Sequence, residues 1–197
     1  MSRLLVSAVL VVCVMSSMSM AGPFYYAGTG HYYEAFTGNL TWQEAKTEAE
    51  GRSYNGASGR LTTITSAEEN AFVSGTVLPS VSEFKFWIGG FQPDGSAEPN
   101  GGWEWVTGES FAYTNWYLDQ YPPEPSNQGG NENCLEIMGK TSDGGTAYLG
   151  FWNDKYGLSI SESNGYVVEY VPEPGTICVL SIGALALARR RVKSGRQ

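Results

Sequence analysis

An α+β domain is the fold class predicted for the middle of this chain, and three observations predict it. Two segments carry helix-start signals, Thr41 with Glu44 and Ser66 with Glu69. Each is a hydroxyl N-cap followed three residues later by a glutamate able to return the hydrogen bond. Short apolar or alternating runs follow, "FKFWIGGF", "GGWEWVTG", "NCLEIM", "LGFWND" and "NGYVVEYV", and these read as strands. Between them, residues 92–133 are rich in Gly, Pro, Asn and Asp. Connections of that length inside a compact domain are usually functional or disordered.

Taken in order, "HYYEAFTGNL" reads as a strand leading into a turn. "TWQEAKTEAE" predicts a helix whose buried face is Trp42, Ala45 and Ala49, and "SAEENAFVSGTVL" predicts a second, with Ala71, Phe72 and Val73 apolar. In "GGWEWVTG" the period of two sets Trp103 and Trp105 on one face. Five of the six tryptophans lie between Trp87 and Trp152, which assigns them to core packing. The aromatics spread through the long connection (Phe111, Tyr113, Trp116, Tyr117, Tyr121) predict that it is ordered and pinned to that core.

The two ends read as addresses. Arg3, an apolar run from Leu4 to Met15 and the small-residue exit Ser19-Met20-Ala21 predict a signal peptide over residues 1–21. At the other end Pro172-Glu173-Pro174-Gly175 precedes an apolar run from Ile177 to Ala188, followed by Arg189, Arg190, Arg191 and Lys193. Those cations hold their side in the cytoplasm. Twelve apolar residues make a helix of about 18 Å, short for a hydrocarbon core of about 30 Å, so the expectation is transient membrane association. This three-part tail, residues 171–197, resembles the PEP-CTERM sorting signal of Gram-negative bacteria. The resemblance implies cleavage by an exosortase-type enzyme and delivery to the cell surface or the extracellular matrix, commonly alongside exopolysaccharide.

Residues 22–170 remain as one domain. From Gly22 to Gly175, six Lys and Arg stand against twenty Asp and Glu, a formal charge of −14, which argues against nucleic acid as a partner. The domain owns a single cysteine, Cys134, so it can form no internal disulfide. His31 is the only histidine and is expected to be structural. No Cys/His zinc cluster can be built, and a Ser-His or Cys-His nucleophile could only go through His31. No enzymatic activity is expected.

"WIGG" (87–90), "GGWEWVTGESFAYTNW" (101–116), "EPSN" (124–127), "NENCLEI" (131–137) and "WND" (152–154), in that order, closely resemble the C-type lectin-like domain over about residues 29–170. The resemblance implies two helices, a small antiparallel sheet near the termini, a second sheet above it, and a long loop carrying a calcium-dependent sugar site. The family's first disulfide pair falls at Ala49 and Val168. The second falls at Cys134 and Gly157, so only a lone, buried thiol is left.

By the same resemblance the principal Ca²⁺ site is Glu124, Ser126, Glu132, Asn153 and Asp154. Glu124, Glu132, Asn153 and Asp154 also contact the glycan, and the Glu124-Pro125 bond is cis. Calcium takes six to eight oxygens from carboxylates, carbonyls and water, and these side chains offer such oxygens. Ser126 departs from the motif, which has Asn there. A hydroxyl is a shorter ligand than a carboxamide and cannot serve ion and sugar at once, so calcium affinity should fall and sugar affinity fall further. A secondary calcium site is not expected, because Asn127 and Asn133 stand where acids are usual. Glu98-Pro99-Asn100 spells the motif but lies before "WEW", and is read as a turn capping the next strand. The expected function is a calcium-dependent carbohydrate-binding protein of the cell envelope or exopolysaccharide matrix. The alternatives are a calcium-independent scaffold for a protein partner and a glycosidase using Glu124 and Glu132.

Overall fold

The two ends of the domain meet in one sheet, where the second strand lies between the first and the last. The computed structural model describes residues 22–141 and 143–173. The predicted signal peptide and the apolar run and basic tail after Pro174 lie outside the described residues. Among the described residues no helix is long and apolar enough to cross a membrane.

Strand β1 (Phe24–Tyr26) turns back into β2 (His31–Thr37). β2 pairs antiparallel along the last strand, β9 (Gly165–Val171), with Tyr32 opposite Tyr170 and Thr37 opposite Gly165. Helix α1 (Trp42–Glu50) starts at Thr41 with both arms of the capping box made, and it buries Trp42, Ala45 and Ala49 as the periodicity predicts. Next comes a hairpin of β3 (Ser53–Tyr54) and β4 (Ala57–Leu61), which the sequence reading passed over. Its signal was present: Asn55 and Gly56 both have positive φ, 50° and 80°, as a tight two-residue turn of the Asn-Gly type requires.

The second helix begins as α2 (Ala67–Phe72) and loosens into a π-turn over Val73–Val77 and a 3₁₀ turn over Leu78–Ser80. Its capping box is half made. Ser66 Oγ accepts from Glu69 N–H, but the Glu69 carboxylate accepts from Thr65 N–H at 2.8 Å and from the Tyr33 hydroxyl at 2.7 Å. Strands β5 (Lys85–Phe91), β6 (Glu104–Trp105), β7 (Cys134–Met138) and β8 (Trp152–Lys155) form the upper part, all antiparallel.

The expected pair of sheets is present as two antiparallel parts of one continuous sheet. A short parallel pairing joins them, Phe86 with Gly165 and Trp87 with Tyr166. The second edge of β9 is thus shared between β5 at its start and β4 at its end. Gly165 permits this join, since a β-carbon there would run into Phe36 O and the Phe86 ring.

Two apolar clusters fill the two sides. Trp42, Ala49, Leu61, Trp87 and Val168 pack beneath α1. Ala49 and Val168, where the family places a disulfide, are both fully buried in this cluster, so packing replaces the bridge. Ile64, Val73, Ile88, Trp105, Leu135 and Trp152 form the other cluster. The long connection is pinned as expected, except at Tyr121, which stands 98% exposed instead of packing on the core. Trp103, Trp105, Phe111, Tyr113 and Trp116 gather about Trp152, with Trp105 edge-on to it at 5.6 Å. Trp152 Nε1 donates to Asn70 Oδ1 at 2.8 Å.

Cys134 is buried and unpaired, and burial pushes its thiol up to about 12. Gly157 lies so close that a β-carbon there would fall on Cys134 Sγ.

Candidate functional site

The candidate site is assembled where the long connection returns to β7 and β8. The connection is tied to the sheet through its backbone: Trp152 N–H donates to Asn115 O at 2.8 Å, Tyr117 N–H to Trp152 O at 3.0 Å, and Glu124 N–H to Tyr117 O at 3.0 Å. β7 and β8 pair with Glu136 opposite Asn153 and Leu135 opposite Asp154. The alternation of β8 turns Asp154 inward and puts Asn153 and Lys155 together on the other face.

Asp154 is fully buried and organises the turn above it. Its Oδ1 accepts from Ser126 N–H at 2.9 Å, and its Oδ2 from Asn127 N–H at 2.7 Å. Asn127 adopts a left-handed backbone (φ 44°), and its Oδ1 accepts from Glu132 N–H at 3.1 Å. Glu132 is buried and fully engaged. Its Oε2 accepts from Gln128 N–H at 2.6 Å and from Ser126 Oγ at 3.2 Å, and its Oε1 from Lys155 Nζ at 2.8 Å. Three of the five predicted ligand residues (Ser126, Glu132 and Asp154) therefore meet in one hydrogen-bonded network, while Glu124 lies near Asp154 with Gln120 as its hydrogen-bond partner. The Glu124-Pro125 bond is cis, as are Glu98-Pro99 and Tyr121-Pro122.

Glu124 is the least satisfied member. One oxygen accepts from Gln120 Nε2, while Oε2 is buried without a partner. Burial, together with the adjacent Asp154 carboxylate, pushes its carboxyl up to about 8. Asn153 stands one position before Asp154, and its Nδ2 donates to Glu136 Oε1 at 3.1 Å while Oδ1 is buried and unpartnered. Glu136 is wholly buried beneath it. Burial pushes its carboxyl up to about 7 against the opposing pull of Lys85 and Lys155.

The residues present suit a hard cation. Three buried oxygens here have no hydrogen-bond partner, Glu124 Oε2, Asn153 Oδ1 and Glu136 Oε2, and oxygens of that kind are what calcium binds. Among the described residues no three of His, Cys, Asp and Glu are already grouped as a metal cage. The predicted set is mixed, three carboxylates with a hydroxyl and a carboxamide, and Glu132 is turned onto Lys155.

Three residues of this site were missed from sequence: Lys155, Glu136 and Gln120. Lys155 was readable, because a strand alternation carried one residue past "WND" puts it beside Asn153. Glu136 and Gln120 gave no signal, since their role depends on cross-strand register and on the path of the long connection. Glu98, set aside as a turn residue, is exposed and lies in the turn closed by Gly101 N–H to Ala97 O at 2.7 Å. Partial burial and nearby Asp154 both raise its carboxyl. His31 is structural as expected, with Nδ1 at 2.5 Å from buried Glu169.

Residues 38–159 match the family model of the Lectin C-type domain, and residues 171–192 match the PEP-CTERM protein-sorting motif. Halomucin of Haloquadratum walsbyi is 39% identical over 103 residues, 51% of this chain and 1% of halomucin. Lithostathine of Bos taurus is 32% identical over 91 residues, 45% of this chain and 50% of lithostathine. The chain thus spans half or less of these curated relatives. Among solved structures, the C-type lectin CEL-I from Cucumaria echinata superposes with a TM-score of 0.54 at 23% identity, covering 73% of this chain and 91% of that one. At that identity the likeness is one of fold.

Proposed function

Since the chain belongs to the C-type lectin domain family and carries a PEP-CTERM sorting motif, we propose that it is an exported, calcium-dependent carbohydrate-binding protein of the bacterial cell envelope or exopolysaccharide matrix. The observation that carries the reading is the pair of orphaned buried oxygens on Glu124 and Asn153, with the Asp154 carboxylate near Glu124. Glu124, Ser126, Glu132, Asn153 and Asp154 would hold the ion. Bound calcium would offer its remaining coordination positions to a pair of sugar hydroxyls. Glu124 and Glu132 would accept hydrogen bonds from those hydroxyls. Asn153 has one N–H left to donate after Glu136 takes the other. Asp154 keeps the Ser126–Asn127 turn closed over the site. The names of halomucin and of the C-type lectin CEL-I agree with a glycan partner.

Calorimetric titration of calcium, paired with a glycan array run with and without the ion, tests this. Calcium should release or absorb heat on binding and raise glycan retention, and Glu124→Gln should abolish the calcium-stimulated part. A folded chain that binds no calcium at millimolar concentration would overturn the mechanism. Ser126→Asn should strengthen the calcium-stimulated retention, because a carboxamide can serve ion and sugar together.

The second reading, a calcium-independent scaffold for a protein partner, is favoured by Lys155. Its ammonium already sits on Glu132 at 2.8 Å, where a cation would otherwise be needed.

A further inference from the structure

A cleft of about 640 Å³ opens beside the candidate site, within the range of about 300–1,000 Å³ over which small-molecule sites occur. The extended segment after Gly130 forms the wall between the two. Asn131 and Asn133 line the cleft, while Glu132 between them is engaged with Ser126 and Lys155. We infer that this cleft is a second saccharide subsite, one that needs no ion and takes pyranose units without negative charge. The class of ligand rests on the glycan-binding reading above; the site itself does not use the calcium residues.

Three features carry it. The apolar wall is aromatic: Trp42 and Phe91 pack at 5.7 Å, and Tyr156 and Leu158 stand at the mouth, 36% and 69% exposed. A partly exposed ring beside polar groups is what the apolar face of a sugar stacks on. At the back lies Gln92, 3% exposed. Its Nε2 is spent on Pro99 O at 3.1 Å and Gly101 O at 2.7 Å, and its Oε1 has no partner. What it has left is an acceptor, suited to a hydroxyl donor. The only charged groups among the described lining residues are Asp94 and Glu98, with no Lys, Arg or His beside them. Acceptors of this kind receive hydroxyls and repel uronates and sulfates.

The test is calorimetry on the full 197-residue chain in EDTA, with cellohexaose, maltohexaose and mannohexaose as neutral probes and hexagalacturonate as the anionic one. At least one neutral probe should bind and the uronate should not. Tyr156→Ala should weaken neutral binding about fivefold, the scale of one lost aromatic contact, with the thermal midpoint unchanged. Asp94→Lys should admit the uronate. Absence of EDTA-resistant binding to all three neutral probes overturns the inference, as does binding that ignores Tyr156→Ala. Binding that survives EDTA and depends on Tyr156, in a chain that shows no calcium response, would sink the calcium mechanism and leave the cleft standing. The opposite pattern would sink the cleft alone.

Discussion

Lys155 and Glu169 show how single side chains set the electrostatics of the two ends of the domain. Lys155 occupies one oxygen of Glu132, and its own ammonium is held above the ordinary lysine range, burial opposing but Glu132 and its neighbouring carboxylates prevailing. A divalent ion held by Glu132 would have to compete with that ammonium. Lys155→Met keeps the aliphatic stem and removes the competitor, so calcium should bind roughly fivefold more tightly, about 1 kcal/mol, read by calorimetry. Glu169 is buried on β9, opposite Tyr33 of β2. Burial would raise its carboxyl, but His31 and Arg60 outweigh burial and hold it below its ordinary value of 4.5. The stabilisation this gives is complete above pH 4.5 and is lost as pH falls through the depressed value. Glu169→Gln should lower stability at neutral pH by roughly 3 kcal/mol, because His31 and Arg60 lose a buried anion. It should also flatten the decline in thermal midpoint between pH 5 and 3.

At the level of elements, what was legible depended on whether the signal was local. Helix α1 reads directly from sequence because its cap, its glutamate and its apolar stripe lie within ten residues. Thr41→Ala should therefore cost about 1 kcal/mol, measured by urea unfolding. The second helix reads well only at its start. Glu69 has the right spacing for a capping box, but it is drawn to Thr65 and Tyr33 by tertiary contacts that no window of sequence contains. Asn55-Gly56 was a readable hairpin signal, and Gly56→Ala should cost about 1 kcal/mol at its positive φ. The candidate ligand residues Glu124, Glu132, Asn153 and Asp154 were legible as a family pattern. Their bonding was not, since Lys155 and Glu136 act across β8 and β7, and that register is fixed only when the sheet forms. The short parallel join of β5 to β9 likewise depends on two segments about 80 residues apart in sequence.

For the molecule as a whole, the missing bridges are the feature that most separates this domain from the family pattern. Packing of Ala49 against Val168 replaces one, and the other survives only as Cys134. Gly157→Cys should restore it once Cys134 Sγ swings aside, because the backbone at Gly157 is not left-handed and a β-carbon there would stand 3.1 Å from Cys134 Cβ. Closing a loop of that length should add about 3 kcal/mol, and the thermal midpoint should rise by several degrees. Reduction should then take that gain away again.

In its natural form, by contrast, the described domain holds no pair of cysteines to be oxidised shut or reduced open: its one thiol is buried and has no partner within the domain. Within this domain, maturation after export would wait on no thiol oxidase and no disulfide isomerase, and the folded state would be equally durable in an aerated film and in an anoxic sediment. Melting curves recorded in dithiothreitol and in air should superimpose.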